Sequence, residues 1–388
     1  MAIAENKEKK VLNVPNLRFP EFEGEWEKKR LGDFTERVKR KNKYNLSKLP
    51  LTISAKYGLV DQITFFNKIV ASTDMSNYYL LKKGEFAYNK SYSNDYPWGA
   101  IKRLDNYEQG VLSALYICFT TQDNIESDFI LQYFESPKWH KSVSEIAVEG
   151  ARNHGLLNIS VQDFFQTYHY VPKEKKEQTK IATLLYLIDE RISTQNKIIE
   201  DLKKLKSAIS ERLFKNIKGD VITLSEICDI VKGKQINGEY LTESGEYYVM
   251  NGGTEPSGYY GDYNVDANTI SISEGGNSCG YVQFNTSPFW SGGHCYSIQN
   301  IADHVDNLYL YHYLKSNEDV IMRLRIGSGL PNIQKKDLTM FKIKVPTFEQ
   351  QITISTFLSS LERKADIEER ILNVILKQKL YLLHQMFI

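Results

Sequence analysis

The stretch GLLNISVQDFFQTYHYVP, residues 155–172, recurs as GLPNIQKKDLTMFKIKVP, residues 329–346. Gly, Leu, Asn, Ile, Asp, Val and Pro fall at matching places with no gap. A chain that restates itself at a fixed distance builds two copies of one unit, and this constrains the fold more than any other feature. Each copy runs through its Pro into a long segment free of Gly and Pro, the residues that break helices. In the first segment Ile181, Leu185, Ile188, Ile192, Ile199, Leu202, Ile209 and Leu213 alternate in steps of four and three. In the second, Ile354, Leu358, Leu361, Ala365, Leu372, Ile375, Leu382 and Met386 take the same places. This is a heptad seam. About 40 residues of helix extend roughly 60 Å, and two such helices in one phase predict an antiparallel coiled coil. Each seam has one polar break at an equivalent place, Gln195 and Glu368. A polar seam residue costs stability and fixes register. Antiparallel pairing puts these two about one turn apart near the middle.

Weaker matches extend the repeat backwards. KKRLGDFTERV (28–38) parallels DVITLSEICDIV (220–231), with Leu31 opposite Leu224. YFES (133–136) parallels YLKS (313–316), and WGAI (98–101) parallels CGYV (279–282). The predicted order is an N-terminal arm (1–23), a globular domain (24–172), a long helix (173–218), a second globular domain (219–346) and a second long helix (347–388). Short β-like runs between turn-rich loops make the globular parts α+β, each with a twisted, mainly antiparallel sheet.

Composition narrows the function. With 49 basic and 48 acidic residues the net charge is +1, so any footprint for a polyanion is local. Aromatics make up 12 %, including 25 Tyr and 18 Phe, which suits cores or base-stacking surfaces. The four Cys form no CxxC pair, so free thiols in a reducing compartment are expected rather than a zinc site or a disulfide framework. The opening MAIAENKEKK has no apolar core, and no apolar run nears the roughly 20 residues of a membrane helix, so a cytoplasmic protein is expected, with no membrane partner.

Catalytic signals are thin. Walker A, HExxH and a helix-opening GxGxxG after a strand are all missing. Gly276-Asn277-Ser278-Cys279-Gly280 fits the nucleophile elbow GxSxG, which opens the alternative of a serine hydrolase using Ser278. An elbow needs a helix straight after the Ser, and the β-like YVQFNTSPFW follows instead. The expectation is no catalytic residue and no metal site.

The loops carry the mixture used for nucleic acid: Arg and Asn to read base edges, and Lys, Ser and Tyr to hold phosphates. In the first domain these are Lys90, Ser91, Tyr92, Asn94, Tyr96, Trp98, Lys102, Arg152, Asn153 and His154. In the second they are Asn251, Tyr259, Tyr260, Asn277, Ser278, Arg323, Arg325 and Ser328. A protein-binding coiled-coil scaffold is the alternative reading of the same surfaces.

The order domain, helix, domain, helix, the opening PxLRFPEFxGEWE (Pro15 to Glu27) and the twice-seen junction G-L-x-N-I…VP…EQ together resemble the specificity subunit of type I restriction–modification enzymes. The resemblance covers essentially the whole chain. It implies that each globular domain is a target-recognition domain reading one half of a bipartite, asymmetric site in double-stranded DNA. It implies one copy per complex, docking two methyltransferase (modification) subunits, with restriction (translocase–nuclease) subunits joining. It implies a non-catalytic chain without a cofactor of its own, S-adenosylmethionine, ATP and magnesium belonging to the partner subunits.

Overall fold

A computed structural model of the chain describes residues 12–54, 57–68, 71–147, 155–327, 329 and 331–388. The chain divides into two compact units, and the division cuts both long helices. The first unit holds residues 1–194 and 372–388, the second residues 195–371. The fold is α+β, and no helix among the described residues is long and apolar enough to cross a membrane.

In the first unit a four-stranded antiparallel sheet runs in the order Thr35–Arg37, Ile117–Thr121, Phe86–Asn89, Ala100–Arg103. Phe86, Tyr88 and Phe119 are fully buried on it, against the helix Ser127–Glu135 and the start of the first long helix. Two further hairpin-like sheets, Leu51–Ser54 with Gly58–Asp61 and Tyr79–Lys82 with Gln109–Leu112, stand outside that frame on a second apolar cluster. Strand Glu27–Arg30 pairs with Tyr168–Val171, the strand that ends the repeated stretch.

The second unit repeats the frame. Asp229–Lys232, Cys295–Gln299, Thr269–Ser273 and Val282–Asn285 form a sheet of the same order and the same antiparallel sense. Helix Asn307–Ser316 takes the place of Ser127–Glu135. Strand Asp220–Thr223 pairs with Lys342–Val345 as Glu27–Arg30 does with Tyr168–Val171. Leu31 and Leu224, matched in sequence, are both wholly buried. What stands outside the frame differs: a three-stranded sheet of Tyr259–Tyr260, Tyr247–Met250 and Trp290–Ser291, one of its two pairings parallel.

The long helices span Lys175–Asn216 and Phe348–Gln385. Every seam position named above is buried or half-buried. Within each unit the two helices run antiparallel. In the first, Asp189 pairs with Lys379 at 2.5 Å. In the second, Lys203 pairs with Glu369 and Lys206 with Glu362, each at 2.6 Å. Gln195 and Glu368 meet directly rather than a turn apart: Gln195 Nε2 donates to Glu368 Oε2 (2.6 Å) and to its backbone carbonyl (3.1 Å). The 4-3 alternation also puts Lys206 and Lys379 on the seams, a second polar break in each that the apolar pattern hides. Each ammonium meets a carboxylate that a residue of the neighbouring domain helix also binds. Gln132 Nε2 donates to Asp189 (2.9 Å), and Tyr311 Oη donates to Glu362 (3.0 Å).

A Gln in the first turn of each long helix has a physical reason to recur. Gln178 is buried; its Nε2 donates to the Pro172 carbonyl (2.9 Å) and its Oε1 accepts from the Glu126 N–H (2.8 Å) just before Ser127–Glu135. Gln351 does the same with Pro346 (2.9 Å) and with Asp306 N–H (2.8 Å) before Asn307–Ser316. One side chain thus satisfies backbone groups that burial would otherwise leave unpaired. Its neighbour Glu177 is equally buried. It receives a two-point contact from Arg18 (2.7 and 2.8 Å) and the Trp26 indole N–H (3.1 Å), which docks the N-terminal arm. The corresponding residue of the second copy, Gln350, is exposed.

Candidate nucleic-acid interface

In the first unit the predicted residues cluster on the turn between Phe86–Asn89 and Ala100–Arg103. Ser91, Tyr92, Asn94 and Tyr96 are exposed; Trp98 is half-buried against the core. Gly99 closes the turn with φ +76°, and a Cβ there would lie 2.2 Å from the Asn89 carbonyl, so only Gly fits. The repeated Gly155-Leu156-Leu157 clamps this turn. Tyr92 N–H donates to the Gly155 carbonyl (3.0 Å) and Leu157 N–H to that of Lys90 (2.9 Å). Two of the predicted cations are turned inward. Lys90 Nζ donates to the Ile159 carbonyl (3.2 Å), and Lys102 pairs with Glu135 at 2.6 Å with only 11 % of its side chain exposed. Arg152, Asn153 and His154 lie outside the described residues.

The second unit builds a like clamp two places further along the repeat. Gly276 N–H donates to the Pro331 carbonyl (3.0 Å), and Ile333 N–H to that of Glu274 (2.8 Å). The clamped turn carries Asn277, exposed, and Ser278, half-buried. Strand Val282–Asn285 follows Ser278, so no nucleophile elbow forms there. Asn251 accepts the His294 N–H (3.1 Å) and so is occupied by backbone. Tyr259 sits in a strand opposite Tyr248, and Tyr260 lays its ring edge-on to Trp290 at 5.2 Å. Arg323 and Arg325 are exposed just beyond helix Glu318–Met322. Ser328 lies outside the described residues.

Several polar groups on this second face escaped the sequence reading. Lys232 Nζ (2.6 Å), Tyr296 Oη (3.0 Å) and His294 Nδ1 (3.6 Å) all approach the Glu274 carboxylate. Glu274 is the position equivalent to Lys90, each being the residue that leaves the central strand into the clamped turn. Opposite charges therefore occupy one place in the two copies. The loops around it approach closely because Gly lines them. A Cβ on Gly233 would fall 2.2 Å from the Gly292 carbonyl. The available signals were VKGKQ and SGGH between strand-like runs.

Charge separates the two copies further. Residues 37–48 carry six basic side chains and no acid, whereas residues 237–268 carry six acids and no Lys or Arg. Outside that acidic run, Lys232, Lys234, Arg323 and Arg325 are exposed cations of the second unit.

The comparisons with known proteins agree with this arrangement. Residues 216–377 match the model of the type I restriction modification DNA specificity domain. Proteins named as type I specificity subunits in Mycoplasma pneumoniae and Mycoplasma genitalium are 30 % identical over 167 residues and 32 % identical over 165 residues. Those alignments take in 42 % and 41 % of this chain, and 44 % and 43 % of the relatives, so the chain spans less than half the length of the curated relatives it matches. A type I restriction-modification system S subunit from M. genitalium, solved by crystallography, shares the fold over 97 % of this chain and 99 % of its own, with a TM-score of 0.64 at 19 % identity. Residues 216–377 are thus similar to the type I restriction modification DNA specificity domain, and the fold over the whole chain is that of a solved type I S subunit.

Proposed function

We propose that the chain is the DNA-reading subunit of a type I restriction–modification complex and catalyses nothing itself. Each unit reads one half of a bipartite, asymmetric site in double-stranded DNA. One copy docks two methyltransferase subunits, and restriction subunits join through them. S-adenosylmethionine, ATP and magnesium act in those partners, in the cytoplasm. The observation that carries this reading is the repeated frame with unlike turns: one sheet order and like clamps, with Lys90 in one copy where Glu274 stands in the other. Equivalent frames with different polar groups suit two half-sites of different sequence. For docking, the second long helix exposes Val374, Leu380 and Tyr381, an apolar surface that suits a protein partner.

The test is methylation sequencing of DNA exposed to the chain reconstituted with its methyltransferase subunits. A bipartite motif is expected. Replacing residues 24–172 by the equivalent part of another specificity subunit should change one half of that motif. If both halves change together, each unit does not read independently. A scaffold with protein ligands alone would give no motif and no salt-dependent DNA binding.

A further inference from the structure

Residues 37–48 of the first unit, RVKRKNKYNLSK, belong to none of the turns considered above. Their middle is a tight turn in which Tyr44 (φ 60°, ψ 21°) and Asn45 (φ 50°) are both left-handed. Asn tolerates that region through its short polar side chain, but a bulky residue rarely enters it. Tyr44 is 93 % exposed and Leu46 65 % exposed, so packing does not hold them there.

The base of the turn holds them instead. Asn42 is fully buried. Its amide donates to the carbonyls of Ser47 (2.9 Å) and Met75 (3.3 Å), and its Oδ1 accepts from Ser47 N–H (2.9 Å). Asn45 Oδ1 accepts from Met75 N–H (3.3 Å). The flanking cations divide into two sets. Arg40 binds Glu85 (2.6 Å), and Lys41 lies over the Tyr79 ring (3.8 Å) while donating to the Asn77 carbonyl (2.8 Å). Lys39, Lys43 and Lys48 are exposed around the tip. An aromatic side chain displayed at a braced, strained tip, flanked by three exposed lysines against the single carboxylate of Asp74 beside Asn45, has the chemistry of a nucleic-acid contact.

We infer that this turn is a DNA-contacting finger of the first unit: Lys39, Lys43 and Lys48 hold phosphates, and Tyr44 with Leu46 packs against bases in a groove. The inference rests on the DNA-reading function proposed above. It adds a contact outside the clamped turn and a difference from the second unit, where the segment after the equivalent strand, 233–241, carries one Lys and one Glu.

The test uses the chain assembled with its methyltransferase subunits and a duplex bearing the motif found by methylation sequencing. Tyr44→Gly is the informative variant, because Gly takes a positive φ without strain. The melting temperature should hold or rise, while the dissociation constant rises about tenfold, the scale of one lost contact to a base edge in the groove. The lost discrimination should fall in the half-site read by the first unit. Lys39→Ala/Lys43→Ala/Lys48→Ala should weaken binding to cognate and unrelated duplexes alike, and should flatten the slope of log affinity against log salt by about 2.7. Unchanged affinity, motif and salt slope in both variants would overturn the finger. So would loss of methyltransferase association at unchanged DNA affinity, which would make the tip a protein contact. If the unmodified complex itself shows no salt-dependent binding and no motif, the proposed function fails first, and that outcome is read before any variant is made.

Discussion

The hairpin of residues 86–103 in the first unit and that of 269–285 in the second are one structure with two chemistries. Both supply the two strands at one edge of a four-stranded sheet, and both have their turn clamped by the repeated stretch, through Gly155 and Leu157 in one and, two places further along, through Pro331 and Ile333 in the other. Yet one leaves its strand on Lys90 and the other on Glu274. The excursions beyond the frame differ even more, two small sheets beside a basic run against one tyrosine-rich sheet in an acidic run. The parts that coincide are those with geometric obligations: sheet order, the buried Gln under each helix start, and the Lys–carboxylate pair on each seam. The excursions diverge, and so do Lys90 and Glu274, which are turned inward at the base of the two turns. That is the pattern expected when one frame is used to present two different surfaces.

The largest effect should come from the aromatic plug that each long helix drives into its unit. Phe387 lies 5.4 Å from Phe129 and 5.6 Å from Tyr133, ring to ring. Phe214, at the same place in the repeat, lies 5.8 Å from Tyr309 and 5.1 Å from Tyr313. Truncating a buried Phe to Ala costs about 3–5 kcal/mol. Phe387→Ala should therefore open amide exchange in residues 127–135, and Phe214→Ala in 307–316. Exchange rising equally in both helices for either variant would break the equivalence of the two units.

A second experiment sharpens the asymmetry at the helix starts. Arg18→Ala leaves Glu177 buried with a single indole donor, a loss of about 3 kcal/mol on the scale of breaking a buried ion pair. Gln350→Ala, at the exposed counterpart, should stay within about 0.5 kcal/mol. Urea melts of the two variants measure both. Equal destabilisation would mean that the arm does not distinguish the copies.

The two buried histidines predict a pH dependence in each unit. His169 is held neutral between the Tyr133 and Thr167 hydroxyls (2.8 Å each), and burial lowers its pKa to about 3. In the second unit His312 meets Ser359 (2.8 Å), and burial, aided by the Lys206 charge, lowers its pKa to about 4. Unfolded His titrates near about 6.5, so on acidification the unfolded chain takes up protons that the folded chain refuses. This stability is complete above about pH 6.5. It is lost at about 1.4 kcal/mol per pH unit for each His as the pH falls towards 4 for His312 and 3 for His169. Melts between pH 7 and 4.5 should show a flatter profile for His312→Gln, with the change confined to second-unit amides.

The smallest effect concerns the seam cations. Lys206–Glu362 and Lys379–Asp189 are partly exposed pairs, so double-mutant cycles should return coupling of about 0.5–1 kcal/mol, falling with salt. Similar values at the two sites would support an equivalent role in register; a coupling at one site alone would separate them.

Much of the frame was legible in the sequence because its signals are local or repeated. A heptad period survives in any window of the helix, and a duplicated junction announces two units whatever their sheets look like. The candidate interface was less legible. Composition marked the turns at 90–98 and 277–278 correctly as polar, but could not show that Lys102 is folded back onto Glu135 or that Asn251 is occupied by His294. Lys206 and Lys379 were hidden because a search for apolar residues steps over a lysine on a seam. The basic run at 37–48 passed unnoticed beside a net charge of +1.

By itself, then, the sequence determined the duplication, the length and phase of the long helices, and the family resemblance, all carried by spacing along the chain. Tertiary structure alone decided which polar side chains turn inward, which carboxylate each seam lysine meets, and that Tyr44 stands exposed in a left-handed turn braced by Asn42 and Met75. Each of these depends on residues far apart in the chain. Whether a polar group faces water or a partner is set by what packs over it, and periodicity carries no record of that.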